Sequence, residues 1–224
     1  MRNHDPSLTM SSDDLVDGFA TLATSTIGNV LDELGFGGLI VNLPPLIRGR
    51  PFCGPAVTAQ ESCGSFGTYE PADFRVGAIQ DAAGPGDVVV IANDGVQVST
   101  WGGLASLAAA RKGIAGAVID GGARDIEEIE SCGFAICARH LVPTGGRKRI
   151  KVESIGEPVT VDGVRVSPGD IIAADGTGIA CIPRAEAEAV LEMAQAFAAN
   201  DRASERLIEG GASLSQAMGR FDTI

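Results

Sequence analysis

WGGLASLAAARKGIAGAVIDGGARDIEEIE, residues 101–130, is the stretch from which the fold follows. Residues 104–112 are mostly alanine, leucine, arginine and lysine, which are strong helix formers, and Gly113 follows them as a helix-ending residue. The apolar run at residues 114–119 has the length of a buried strand. A second short helix is predicted at residues 126–132. The stretch therefore predicts a helix, a strand and a second helix joined by short loops.

A further strand precedes this stretch. Residues 88–92 are all apolar and follow a Pro-Gly-Asp turn that begins at Pro85. The order strand, helix, strand, helix favours neighbouring parallel strands with right-handed crossovers. The loops at residues 94–103 and 120–125 would then leave the same edge of the sheet, where ligands of open α/β sheets bind. The sequence thus predicts an α/β fold with its site in these loops.

The two loops carry residues suited to a 2-oxo acid. The first turn of the predicted helix offers free backbone N–H groups and a positive dipole end to an anion, and glycines let a ligand approach closely. Arg124 offers a planar fork for a carboxylate, and Asp125 offers hard oxygen ligands for a magnesium-type ion. We expect this arrangement to bind a 2-oxo acid and to stabilise its enolate. The glycines are Gly102 and Gly103, and the helix that offers the N–H groups begins at Leu104 and Ala105.

Composition bounds the remaining possibilities. The 224 residues are 45% hydrophobic and include 30 glycines, which favours an α/β protein with many tight loops. The net charge of −12 argues against general nucleic-acid binding, which needs a basic face. No apolar stretch reaches the roughly 18 residues of a membrane span, and the N-terminus lacks a signal-peptide core. A cytoplasmic location without membrane contact is expected.

The chain shows no composition break. We expect a mobile leader at residues 1–10 and a single domain at residues 11–224, with a C-terminal helical arm that starts near residue 184. Short strands at residues 159–161 and 164–166 flank Asp162-Gly163, which is a strong hairpin signal.

Several residues leave alternatives open. Arg124 and Asp125 could form a plain surface pair at a helix start, because aspartate suits that position. Asp120 could orient Arg124 or cap the next turn. Lys112 is more typical of a solvated helix end than of a Schiff base. The basic loop at residues 143–151 is either a solvated face or a rim that attracts a polyanionic substrate or an acidic partner.

The central stretch also resembles a known family. WGGL followed by GIAGAVIDGGARD is similar to the signature of the RraA-like proteins, which include the 4-hydroxy-4-methyl-2-oxoglutarate / 4-carboxy-4-hydroxy-2-oxoadipate aldolases and the regulators of ribonuclease E. The similarity runs from about residue 24 to residue 211. It implies a layered β/β/α swivelling-domain-like fold and a homo-oligomer, trimer or hexamer, with the site between subunits. Further matching stretches are GRPFCGPAVTAQ (49–60), PGDVVVIANDG (85–95) and DGVRVSPGDIIAADGTGIACIP (162–183).

The resemblance also assigns roles. The family's catalytic arginine falls on Arg124, its metal-binding aspartate falls on Asp125, and the amides that hold a pyruvoyl carboxylate fall around Leu104. The aldolases carry an acidic residue twenty-one positions before the arginine, and this chain has Gly103 there. A second family acid comes from a neighbouring subunit, and the candidates for it here are Asp201 and Glu205.

The expected function is that of a metal-dependent lyase. The resemblance implies a class II pyruvate aldolase that uses Mg²⁺, Mn²⁺ or another divalent metal on Asp125, cleaves substrates of the 4-hydroxy-4-methyl-2-oxoglutarate type and decarboxylates oxaloacetate through the same enolate. A water on the metal ion or on Asp120 would move the proton. The alternative is a non-catalytic protein that binds other proteins, as the regulators of ribonuclease E do.

Overall fold

The computed structural model describes residues 10–220. The predicted leader at residues 1–10 lies, apart from Met10, outside the described residues. Two short 3-10 turns lie at Pro71–Asp73 and Arg184–Glu186. The helices are α1 (Ser12–Phe19), α2 (Thr24–Glu33), α3 (Val76–Ala82), α4 (Gly103–Lys112), α5 (Ile126–Cys132), α6 (Ala187–Glu209) and α7 (Leu214–Met218). The strands are β1 (Leu39–Ile40), β2 (Phe52–Cys63), β3 (Val88–Ala92), β4 (Ser99–Trp101), β5 (Gly116–Ala123), β6 (Ile136–Leu141), β7 (Ile150–Ile155), β8 (Val159–Val161), β9 (Val164–Val166), β10 (Ile171–Ala174) and β11 (Ile179–Ile182).

A mixed sheet forms the centre of the fold. Within residues 10–220 it contains nine strands in the order β1-β11-β10-β2-β3-β5-β4, with β6 paired to β5 and β7 paired to β2. The pairs β2–β3, β3–β5, β4–β5 and β5–β6 are parallel, whereas β1, β7, β10 and β11 pair antiparallel with their neighbours. The predicted α/β class is confirmed, and its parallel part is the region that carries the predicted loops.

Strand β2, with twelve residues, is the longest strand within residues 10–220. Its first residues pair with β10, its middle with β3 and its end with β7. The sequence Gly54-Pro55 resembles a strand breaker, but a Cβ at position 54 would collide with the Gly86 carbonyl oxygen. Gly54 is therefore the residue that lets the neighbouring backbone approach this strand.

The two faces of the sheet are covered by different elements. Apolar residues of α3, α4 and α5 pack on one face around Val89, Ile91 and Ile119. The β8–β9 hairpin packs on the other face against Val90 and Val118. A third cluster joins α1, α2 and α6 to β10 and β11. These layers agree with the β/β/α arrangement expected from the sequence.

The predicted hairpin at residues 159–166 is confirmed by its antiparallel pairing. Asp162 and Gly163 have φ angles of 50° and 82°, which is the left-handed pair that a tight two-residue turn requires.

One predicted element boundary beside the site is wrong. The loop predicted at residues 120–125 begins only after Ala123, because β5 continues through two glycines; a Cβ on Gly122 would lie 2.7 Å from the Val98 carbonyl oxygen. The C-terminal arm begins near the predicted position, with the 3-10 turn Arg184–Glu186, and continues as α6 from Ala187. No helix within residues 10–220 has the length and apolar character needed to cross a membrane.

Candidate functional site

A cleft of about 390 Å³ opens at the carboxyl edge of the parallel strands. The start of α4, the end of β5 and the loop before β7 form its walls. Its polar lining includes three arginines and one aspartate, so positive charge dominates in a chain whose net charge is −12. The residues that line it are Phe74, Val76, Ser99, Thr100, Trp101, Gly102, Leu104, Ala105, Arg124, Asp125, Gly145, Gly146, Arg147 and Arg149.

Arg124 and Asp125 lie side by side against the start of α4. Asp125 adopts left-handed backbone angles (φ 58°, ψ 50°) at the position preceding α5, and its side chain does not cap that helix. Its Oδ2 atom accepts a hydrogen bond from the Gly103 N–H at 3.2 Å and lies 3.5 Å from Arg124 Nε. The two side chains keep 48% and 40% of their surface exposed, so both are accessible to a ligand.

Some backbone N–H groups at the start of α4 donate hydrogen bonds within the described residues, and others have no acceptor there. The Gly103 N–H donates to Asp125, so it is not the free donor that the sequence predicted. The Ser106 N–H makes the first bond back to the Gly102 carbonyl. Between them, no acceptor is found among residues 10–220 for the N–H groups of Leu104 and Ala105. These two amides are available to an anion.

Asp120 does not join this cleft, so the prediction that it orients Arg124 is wrong. Its Oδ1 atom accepts from Arg139 Nε at 2.6 Å, and its Oδ2 atom accepts from the Asp162 N–H at 3.1 Å. Side chains alternate along a strand, and Asp120 shares the face of Val118, which packs against the β8–β9 hairpin. Its carboxylate therefore stabilises the hairpin turn.

The basic loop at residues 143–151 forms one wall of the cleft. Arg149 Nη1 donates to the Gly145 carbonyl oxygen at 3.1 Å, and its guanidinium lies 4.8 Å from the ring centroid of the exposed Phe66. Within residues 10–220 no carboxylate lies within 4.0 Å of the charged groups of Arg147 or Arg149. The loop therefore lies where a rim that attracts an anionic substrate would lie.

The other sequence-predicted side chains have structural surroundings. Lys112 donates to the carbonyl oxygens of Gln80 and Asp81, at the end of α3. Trp101 is fully buried, stacks on Phe134 with ring centroids 5.8 Å apart and donates from Nε1 to Ser106 Oγ. Trp101 therefore anchors the floor of the cleft.

Comparison with known proteins identifies the family. The family model for RraA-like proteins, described as Aldolase/RraA, matches residues 27–181. The chain belongs to the RraA-like family. A protein of Halalkalibacterium halodurans that carries the provisional name 4-hydroxy-4-methyl-2-oxoglutarate aldolase is 33% identical over 196 residues, 87% of this chain and 89% of that protein.

Two further proteins are similar to most of this chain. Protein DlpA of Legionella pneumophila is 30% identical over 201 residues, which are 87% of this chain; this chain spans only 31% of that protein. The crystal structure of an uncharacterized protein from Pseudomonas syringae pv. tomato superposes with a TM-score of 0.83 at 27% identity, covering 94% of this chain and 99% of that one.

Asp125 is the residue of this cleft that could hold a metal ion. One oxygen of Asp125 is bonded to Gly103, and the other has no hydrogen-bond donor among the described residues. No group of three or more His, Cys, Asp and Glu within residues 10–220 could enclose a metal. Mg²⁺ often binds proteins through one or two carboxylates and several waters. The single exposed carboxylate of Asp125 fits such an ion.

The acids predicted for a neighbouring site stay predictions in this RraA-like chain. Asp201 and Glu205 lie on α6, which packs with α1 and α2 on the far part of the sheet. Neither residue lines the cleft of its own chain.

Gly103, where the aldolases carry an acid, is enclosed by α5. A Cβ on it would lie 2.7 Å from Glu128 Cβ, closer than real Cβ contacts. We expect Gly103→Ala to lower the free energy of unfolding by about 1–3 kcal/mol, as overpacking does. Urea unfolding measures this change. Gly77→Ala in α3 is the control, because nothing lies within 4 Å of its Cβ. The free energy of unfolding of Gly77→Ala should equal or exceed that of the wild type. An equal loss of stability in both variants would contradict the explanation by overpacking.

Proposed function

We propose that this RraA-like chain is a divalent-metal-dependent lyase that acts on a 2-oxo acid through a pyruvate enolate. The observation that supports it most is the placement of Arg124 and Asp125 against the open first turn of α4. A guanidinium, a carboxylate and two free amides share one cleft. This set matches what binding of a 2-oxo acid beside a hard cation requires.

The residues of the cleft divide the work between them. The N–H groups of Leu104 and Ala105 and the fork of Arg124 bind the substrate carboxylate and fix its orientation. Asp125 would hold Mg²⁺ or Mn²⁺, which supplies Lewis-acid stabilisation of the enolate charge when bound. Asp120 is bonded to Arg139 away from the cleft, so a water in the cleft carries the proton in this proposal.

The same site serves two reactions. Retro-aldol cleavage of a 4-hydroxy-4-methyl-2-oxoglutarate-type substrate and decarboxylation of oxaloacetate both leave the enolate of pyruvate. The name of the relative from Halalkalibacterium halodurans supports the first reaction.

We also propose that the working protein is a homo-oligomer, a trimer or a hexamer. Leu104 and Leu107 on α4 keep 85% and 42% of their surface exposed beside the cleft. Large exposed apolar side chains at a site edge are typical of a protein interface. A neighbouring subunit that covers α4 would also bring an acid such as Asp201 or Glu205 to the site.

Release of pyruvate from oxaloacetate tests the proposed function. The wild-type chain with Mg²⁺ should release pyruvate well above the rate of Mg²⁺ alone, and EDTA should remove the difference. Reduction of the released pyruvate by lactate dehydrogenase and NADH measures the rate continuously. The lyase proposal is rejected if the folded chain adds nothing to the rate with Mg²⁺ or Mn²⁺, on oxaloacetate or on 4-hydroxy-4-methyl-2-oxoglutarate. That result would favour the alternative, a non-catalytic protein that binds other proteins.

A further inference from the structure

Glu61 is a buried carboxyl that the proposed reaction does not use. It lies on β2 with 1% of its surface exposed. Its Oε1 atom accepts from Thr100 Oγ1 at 2.6 Å, and its Oε2 atom accepts from Asn93 Nδ2 at 2.9 Å. Both donors are neutral, and within residues 10–220 no Lys, Arg or His nitrogen lies within 4.0 Å of the carboxyl. A buried carboxylate without a cation is costly, so its presence beside the cleft calls for a role.

The two partners of Glu61 place it directly under the site. Asn93 follows β3, and Thr100 is the middle residue of β4 and lines the cleft. The next residues of β4 lead through Gly102 into α4, whose first amides are the proposed anion site. The carbonyl of Trp101 also accepts from the Arg124 N–H at 3.0 Å. A shift of Thr100 therefore reaches both the amides and Arg124.

The carboxyl can change its charge near neutral pH. Burial raises the pKa of Glu61 from its ordinary 4.5 to about 7, although the bonds from Thr100 and Asn93 oppose this effect. The groups that face it from β3 and β4 are neutral. The nearest titratable groups are Cys63 on the same strand and Arg149 before β7. Burial and the charge of Glu61 raise the pKa of the Cys63 thiol, and Arg149 opposes this effect, so the thiol is neutral near pH 7.

Protonation of Glu61 would reverse one hydrogen bond. The ionised carboxylate only accepts, so the Thr100 hydroxyl, 2.6 Å away, must donate to it in that state. A protonated carboxyl has one O–H to donate, and the Asn93 NH₂ group cannot accept it. Thr100 is the partner that can accept, and its own hydroxyl proton then needs another acceptor. The junction between β4 and α4 is thereby coupled to the charge of Glu61.

We propose that Glu61 is a positioning residue for the site: through the Thr100 hydroxyl, its charge sets the position of the β4–α4 junction that carries the anion-binding amides. The effect on turnover rests on the proposed function. The coupling between Glu61 and β4 does not, and it can be measured without substrate.

The fluorescence of Trp101 measures the coupling. Trp101 is the single tryptophan of the chain and follows Thr100 directly. Its emission should change with a midpoint near pH 7 in the wild type and stay constant in Glu61→Gln, which keeps an acceptor for Thr100 but no charge. Glu153→Gln, an exposed glutamate paired with Lys151, and His140→Gln should both keep the transition. A wild type without the transition, or a Glu61→Gln variant that retains it, overturns the coupling.

Turnover separates this inference from the proposed function. With oxaloacetate and Mg²⁺, the wild-type KM should rise about three- to tenfold below pH 6, the scale of one hydrogen bond, with little change in kcat. Glu61→Gln should lack this rise, and Thr100→Val should lack it while Glu61 still titrates in ¹³C NMR. A pH profile unchanged by Glu61→Gln overturns the positioning role. A wild type without turnover but with the Trp101 transition overturns the lyase and leaves the coupling standing.

Discussion

Arg124→Ala should lower kcat/KM for oxaloacetate with Mg²⁺ by about a thousandfold, the scale of losing one preorganised group that stabilises developing charge. Arg124 supplies the only guanidinium fork that contacts Asp125 within residues 10–220, beside the free amides of α4. Steady-state rates of pyruvate release measure the effect. Asp125→Ala should reduce activity as strongly, because it removes the proposed metal ligand, and its apparent affinity for Mn²⁺ should fall as well.

The controls for this prediction separate charge, geometry and fold. Arg124→Lys keeps the charge without the planar fork, so its activity should lie between those of wild type and Arg124→Ala. Arg165→Ala removes an exposed arginine on β9, on the hairpin and outside the cleft, and should leave turnover unchanged. Arg124 is half exposed, so its loss should hardly change the melting temperature. Wild-type turnover in a folded Arg124→Ala protein would reject the proposed lyase mechanism.

The second large effect concerns stability. The folded state holds the Glu61 proton up to about pH 7, whereas the unfolded chain releases it near the ordinary 4.5. The unfolded state therefore binds fewer protons between these values, and the free energy of unfolding falls as pH rises through this window. This stabilisation by the Glu61 proton is fully present below about pH 4.5 and is lost above about pH 7. Its size is about 3 kcal/mol.

Urea unfolding at a series of pH values measures this loss, and the variants isolate it. Glu61→Gln has no proton to release, so its free energy of unfolding should lack the fall seen in the wild type between about pH 4.5 and 7. The same substitution at the exposed Glu153 should reproduce the wild-type slope. Equal slopes in wild type and Glu61→Gln would show that the buried carboxyl does not titrate in this range.

The elements around the site were largely predictable from the sequence. Residues 126–132 are the predicted helix α5, and α4 begins one residue before its predicted start. Strong helix formers and the left-handed Gly113 gave clear signals there. The placement of Arg124 and Asp125 near the α4 mouth followed from the rule that parallel strands end at one edge.

The rest depended on contacts between distant residues. Arg139 lies nineteen residues from Asp120, and no local pattern indicates that they pair. Glu61 sits in the polar sequence Gln60-Glu61-Ser62, which resembles a strand end facing solvent. Its burial results from Asn93 and Thr100, which only the folded sheet brings to it.

The length of β2 also bears on how the chain is made. This strand leaves the ribosome early, but its antiparallel partners β7 and β10 come from the last third of the sequence. Until they are synthesised, both ends of β2 are bare edges that can pair with another nascent chain. The loop before β7, which forms one wall of the cleft, is therefore fixed late in translation, and chains crowded on one polysome are most exposed to misassembly before that stage.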